Sequence, residues 1–94
     1  MAYMPASSRE LIAVPWGADA VDYPVEIAIV AQADGEPADD DYKTATWDGT
    51  DATLLIGADT DTVLEAGVYV IWTRITAGTE RPVRRAGLLT VGTP

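Results

Sequence analysis

Gly67-Val68-Tyr69-Val70-Ile71-Trp72-Thr73-Arg74-Ile75-Thr76 is rich in β-branched and aromatic residues. That composition, with side chains alternating at a period of two, belongs to a β-strand. Tyr69, Ile71, Thr73 and Ile75 share one face, and Val68, Val70, Trp72 and Arg74 share the other. Just upstream, Leu64-Glu65-Ala66-Gly67 supplies an apolar anchor and a glycine that permits a tight turn into the strand.

Working outward, Ala77-Gly78-Thr79-Glu80 turns the chain, and Pro82 to Val91 forms a last strand with Gly87 marking a bulge. On the other side, Thr62–Leu64 reads as a brief strand or turn, and Ala52–Ile56 as a strand ended by Gly57. Asp48-Gly49 is a turn signal, and Thr44–Trp47 a short strand with Ala45 and Trp47 on one side. Residues 34 to 41, DGEPADDD, combine glycine, proline and a charge run and predict a loop. Pro24 to Ala31 is a strong strand, with Val25, Ile27 and Ile29 on one face and Glu26, Ala28 and Val30 on the other. Glu10 to Val14 is a shorter one, closed by Pro15 and followed by a turn at Trp16-Gly17-Ala18-Asp19. Residues 1–8, MAYMPASS, show no periodicity and are expected to form a flexible arm ahead of one domain spanning 9–94. Six or seven short strands, with no amphipathic helical repeat, predict an all-β sandwich.

Composition narrows the function. Ninety-four residues, 48% of them hydrophobic, are enough for one core but leave little room for a deep preorganised pocket. The chain has no histidine and no cysteine, so the usual general base, zinc ligands, thiol nucleophile and disulfides are missing. No phosphate-binding glycine loop or nucleophile elbow is present, and the expectation is a protein that is not an enzyme and takes no cofactor. The net charge of −9 argues against nucleic acid and anionic membranes as partners. The first residues carry no signal-peptide pattern, and no apolar run approaches a membrane span.

The charge is uneven. Nine acids and one lysine lie between Asp34 and Asp61, whereas four arginines and one glutamate lie between Arg74 and Arg85. The segments are solvated loops or, if opposed between copies, a means of head-to-tail docking. Asp39-Asp40-Asp41 and Asp59-x-Asp61 are calcium-type carboxylates, but neither fits the EF-hand spacing, and no metal site is assigned. Arg81, Arg84 and Arg85 are expected to serve as ion-pair or interface residues. Trp47 and Trp72 fall in core patterns. Trp16, beside a turn, is the candidate interface anchor, joined by Tyr3 and Met4 of the arm.

Two resemblances add to this reading. Leu64-Glu65-Ala66-Gly67-Val68-Tyr69 resembles the tyrosine corner of immunoglobulin-like and fibronectin-type domains, in which a tyrosine hydroxyl bonds upstream backbone. By that resemblance Leu64 anchors the core, Gly67 makes the turn and Tyr69 reaches back, although the immunoglobulin cysteine pair is missing. A longer pattern runs through Arg9-Glu10-Leu11-Ile12-Ala13-Val14-Pro15, Pro24-Val25-Glu26-Ile27-Ala28, Ala45-Thr46-Trp47 and Leu55-Ile56-Gly57. It continues through Leu64-x-x-Gly67-x-Tyr69-x-x-Trp72-x-Arg74-Ile75, Glu80-Arg81-Pro82-Val83 and Ala86-Gly87-x-Leu89-Thr90-Val91. This pattern is similar to small proteins encoded among the head and neck genes of tailed phages and prophages of actinobacteria. The resemblance implies a virion structural protein on the outer surface of the head or neck, made in the host cytoplasm. It would decorate the capsid or join the head–tail region, with capsid or neck proteins and copies of itself as partners and no small-molecule substrate. An adhesion or carbohydrate-binding module of the same fold is the alternative.

Overall fold

The strand with the strongest alternation, β7 (Gly67–Ile75), lies at the centre of the larger of two sheets. The computed structural model describes residues 2–92, so Met1 of the expected arm and Thr93-Pro94 of the expected domain lie outside the described residues. β7 is antiparallel to both β3 (Val25–Ala31) and β8 (Val83–Gly92). The two-residue β4 (Lys43–Thr44) pairs with β3, and β1 (Ala2–Pro5) runs parallel to β8, giving the order β1-β8-β7-β3-β4. The smaller sheet has β6 (Asp51–Gly57) between β2 (Arg9–Pro15) and β5 (Thr46–Asp48), all antiparallel. The protein is therefore all-β in two sheets. The chain passes between them after β1, β2, β4 and β6, while β7 and β8 form a hairpin within the larger sheet.

The inward rows are apolar. Val25, Ile27, Ile71, Ile75, Leu89 and Val91 of the larger sheet form one buried cluster with Val14, Ala52 and Ile56 of the smaller and Leu64 from the loop between them. Thr73 sits fully buried in that row and has its hydroxyl satisfied, donating to Glu26 O at 3.0 Å. A buried hydroxyl left unpaired would cost free energy, so this bond is what lets threonine occupy a core position. The ladder partners step from Ile71–Gly87 to Trp72–Arg85, leaving Ala86 as an extra residue in a bulge just before Gly87.

The N-terminal segment departs from expectation. Residues 2–5 of the predicted arm form a strand of this sandwich, with Tyr3 opposite Thr90 and Met4 opposite Val91. Met4 is 1% exposed, in the core, so it is not an interface residue of the domain. Ala6 N–H donates to Gly92 O at 2.7 Å and extends the pairing by one residue. Four residues are too few for a readable period, and the partner strand lies at the far end of the chain. Pairing supplied what the sequence pattern could not.

Two glycines are fixed by close approach. A Cβ on Gly57, whose φ is 105°, would overlap the Ser8 carbonyl oxygen where the chain passes from β1 into β2. A Cβ on Gly92 would meet the Tyr3 ring.

Smaller differences concern the loops. The strand expected over Thr44–Trp47 splits between the two sheets at Ala45, whose N–H donates to Val25 O at 3.0 Å. Trp16–Asp19 leads into a 3₁₀ turn at Ala18–Ala20, and Thr62–Leu64 forms no strand.

Candidate functional site

At the corner, the Tyr69 hydroxyl donates to Glu65 O at 2.8 Å across the turn that leads into β7, and Leu64 beside it is buried. This bond ties the loop between the sheets to the strand.

The outer face of the larger sheet carries a charged cluster. Arg74, opposite Glu26 in the β3–β7 ladder, donates from Nε to Glu26 Oε1 and from Nη1 to Asp39 Oδ1, both at 2.8 Å. Its guanidinium carbon lies 3.9 Å from the centre of the Tyr42 ring, and both side chains are buried. The long β3–β4 connection, residues 32 to 42, is thereby fastened at its Asp39–Tyr42 end to the outside of the sheet. The Arg74 hydrogen bond and charge hold the Asp39 carboxyl below its ordinary value of 3.8. Burial pushes the Tyr42 phenol above its ordinary 10.0. Hydrogen bonding to Glu26 raises Arg74 despite the opposing effect of burial. Beside this cluster, Trp72, expected in the core, shares the outward face of β7 with Arg74 instead, its indole N–H shielded from solvent and without a hydrogen-bond partner.

The predicted interface residues do not converge. Trp16 is half-buried and donates from Nε1 to Thr73 Oγ1 at 2.9 Å, closing the end of the sandwich. Arg84, opposite Thr73, places its guanidinium 4.3 Å from the Trp16 ring centre. Their neighbours Asp19, Ala20, Ile75 and Pro82 complete an open depression of about 270 Å³. Arg85, next in the chain, pairs with Trp72 on the opposite face, and Arg81 lies 3.9 Å from Asp39. The arginine trio is therefore dispersed, and Arg74 is neutralised within the chain. Tyr3 is 62% exposed at the other end of the larger sheet, in a cross-strand row with Thr90 and Val68.

The acidic loops make local bonds. Asp41 Oδ2 accepts from Ala38 N–H at 2.9 Å, and around Asp59 and Asp61 the Thr60 hydroxyl donates to Gly57 O at 2.7 Å. Among the described residues, no three acidic side chains converge on one point. A second open groove, of about 470 Å³, runs between Lys43 and Thr44 of β4 and the Leu54–Leu55 stretch of β6, with Asp59 and Asp61 at its rim.

The feature that strand-by-strand reading missed lies on the outside of the smaller sheet. Leu11 of β2 and Leu55 of β6 are direct cross-strand partners, 61% and 47% exposed. Both faces of β2 read as apolar in the sequence, so only its pairing with β6 shows that Ile12 and Val14 turn inward and Leu11 outward. Comparison with protein-family models, with curated proteins and with solved structures yields no match, and the function has to come from these side chains themselves.

Proposed function

We propose that this chain is a non-catalytic assembly domain of immunoglobulin-like topology that serves as a virion structural protein. The topology is supported by strand order. In immunoglobulin sandwiches strands B, E and D share one sheet, while C, F and G share the other, which C′ can extend. β2, β6 and β5 take the first three places, β3, β7 and β8 the next three, and β4 lies beside β3 as C′ would. The tyrosine that bonds upstream backbone at the entry to β7 supports the same assignment. The missing cysteine pair is a departure from the antibody pattern.

The observation that carries the assembly reading is where apolar surface lies. Tyr3, Leu11, Leu55 and Val68 are exposed on outward strand faces, in two cross-strand groups, Tyr3 near Val68 and Leu11 beside Leu55. The carbohydrate alternative needs an exposed aromatic ring face; Trp16, Trp47 and Trp72 are only partly exposed, and the Arg84 guanidinium lies over the Trp16 ring. The phage assignment rests on the sequence pattern described above, with the head or neck exterior favoured by the acidic surface.

Mass spectrometry and cryo-electron microscopy of purified particles from cells carrying the gene test this reading. The expected result is the protein at symmetric positions on the outside of head or neck. Its recovery only in the particle-free fraction would overturn the virion role.

A further inference from the structure

We infer that β2 is a self-pairing edge, at which a second copy of this chain adds its own β2 antiparallel about a two-fold axis. This deepens the assembly reading and names its first contact. Each sheet has two edges, and three of the four strands at those edges are short: β1 has four residues, β4 two and β5 three. β2 has seven, paired on one side only and in unbroken register with β6. Among the described residues, no backbone bond outside that ladder reaches Arg9 to Pro15. A sheet edge is a row of unmet N–H and C=O groups, and proteins protect long ones with lysines, bulges or inward-pointing charges. β2 confines such devices to its ends, with Glu10 on the inward row of Ile12 and Val14 and Pro15 at the last position, and leaves Leu11-Ile12-Ala13-Val14 between them without any.

The edge itself indicates the occupant. An unpaired strand specifies another extended strand, and an antiparallel pair about a two-fold axis joins a strand to its own copy. With Ile12 facing Ile12 of the second copy, all seven residues pair, Leu11 falls opposite Ala13, Arg9 opposite Pro15 and Glu10 opposite Val14. No like charges oppose. The exposed Leu11–Leu55 row then continues across the junction, covering apolar surface that is bare in the single chain. The strand is also neutral, one arginine and one glutamate, on a chain of net charge −9. That neutrality selects neither a basic nor an acidic partner strand, and leaves apolar self-matching as the fit.

Sedimentation equilibrium on the intact chain tests this. The mass should rise from 10.0 kDa toward twice that value. The midpoint should fall at about 10–100 μM, the range of small transient interfaces. Association should strengthen with added salt, because screening removes repulsion between two acidic chains. Leu11→Lys, at an exposed position, should keep the parent's circular dichroism and melting curve while weakening the dimer at least tenfold. Ala13→Lys serves the same purpose should Leu11→Lys fail to fold. A parent that stays monomeric at about 1 mM overturns the inference. So does a dimer that weakens with salt, which would point to ion-pair docking, or one that both lysine variants leave intact. A monomeric parent found in particles removes the pairing and keeps the virion role, whereas a dimeric parent missing from particles does the reverse.

Discussion

The two outer faces of the sandwich are built from similar alternating strands and finish differently. On the larger sheet, Arg74 reaches Glu26 beside it and Asp39 above it, and Tyr42 lies on the guanidinium, so the connection carrying these residues is pinned to the sheet. On the smaller sheet, Leu11 and Leu55 stand side by side in the open. Loop length accounts for much of the difference. The eleven residues from Gln32 to Tyr42 between β3 and β4 can fold back over a face, whereas β5 and β6 are joined by Gly49-Thr50 alone. The second requirement is a charge that can hold the loop, and among the described residues the buried arginine, Arg74, lies on the larger sheet. An apolar row with neither device stays bare until another molecule covers it.

The edges repeat the contrast, and they offer the largest test of it. β1 is anchored by Met4, which is 1% exposed, so Met4→Ala should destabilise the domain by about 2–5 kcal/mol in chemical denaturation. A loss under about 0.5 kcal/mol, the usual size for surface substitutions, would return residues 2–5 to the status of a dispensable arm.

Arg74→Met probes the pinned face. It keeps the buried stem and removes the charge-assisted bonds and the contact with Tyr42, at a cost of about 1–3 kcal/mol, moderated because Asp39 is well exposed. Hydrogen exchange should also quicken across residues 32 to 42. Unchanged exchange there would mean that the loop is held by something other than Arg74.

Acid should act in the same place more gently. Asp39 has a lowered pKa, so the stabilisation from its pair with Arg74 is present above its ordinary 3.8 and is lost as pH falls through the lower folded value. The melting point of the parent should therefore fall more steeply below about pH 4 than that of Asp39→Asn. Parallel curves for the two would show that the pair does not contribute.

The smallest effect is expected on the bare face. Leu11→Ala and Leu55→Ala, at exposed positions, should change folding stability by no more than about 0.5 kcal/mol each, measured on dilute monomer. Losses above about 2 kcal/mol, the size seen for buried leucines, would mean that these side chains already have a partner within the chain.

Much of the sandwich was legible because it depends on local rules. The alternation in Val25–Ala31 and Gly67–Ile75 puts Ile27 with Ile29 and Ile71 with Ile75 on single faces with no knowledge of neighbours, and the packing of the two sheets then decides that Ile27, Ile71 and Ile75 turn inward. Asp48-Gly49 announces its turn, Gly87 adjoins its bulge, and the absence of histidine and cysteine removes whole classes of chemistry from the chain. The candidate surfaces were harder to read because exposure depends on pairing. Arg81, Arg84 and Arg85 look like one patch in the sequence, yet successive strand residues point to opposite faces, and Arg84 lies on Trp16 while Arg85 pairs beside Trp72.

By itself, then, the sequence determined an all-β chain, its strongest strands and the division of their side chains into two faces, in a chain with no histidine and no cysteine. Tertiary structure alone decided that residues 2–5 join β8, that Arg74 meets Asp39, and that Leu11 and Leu55 are left side by side at an open edge. The physical reason is range. Period and turn chemistry act over a few residues, whereas each of those contacts joins parts of the chain separated by thirty-five residues or more and exists only once the sheets have formed.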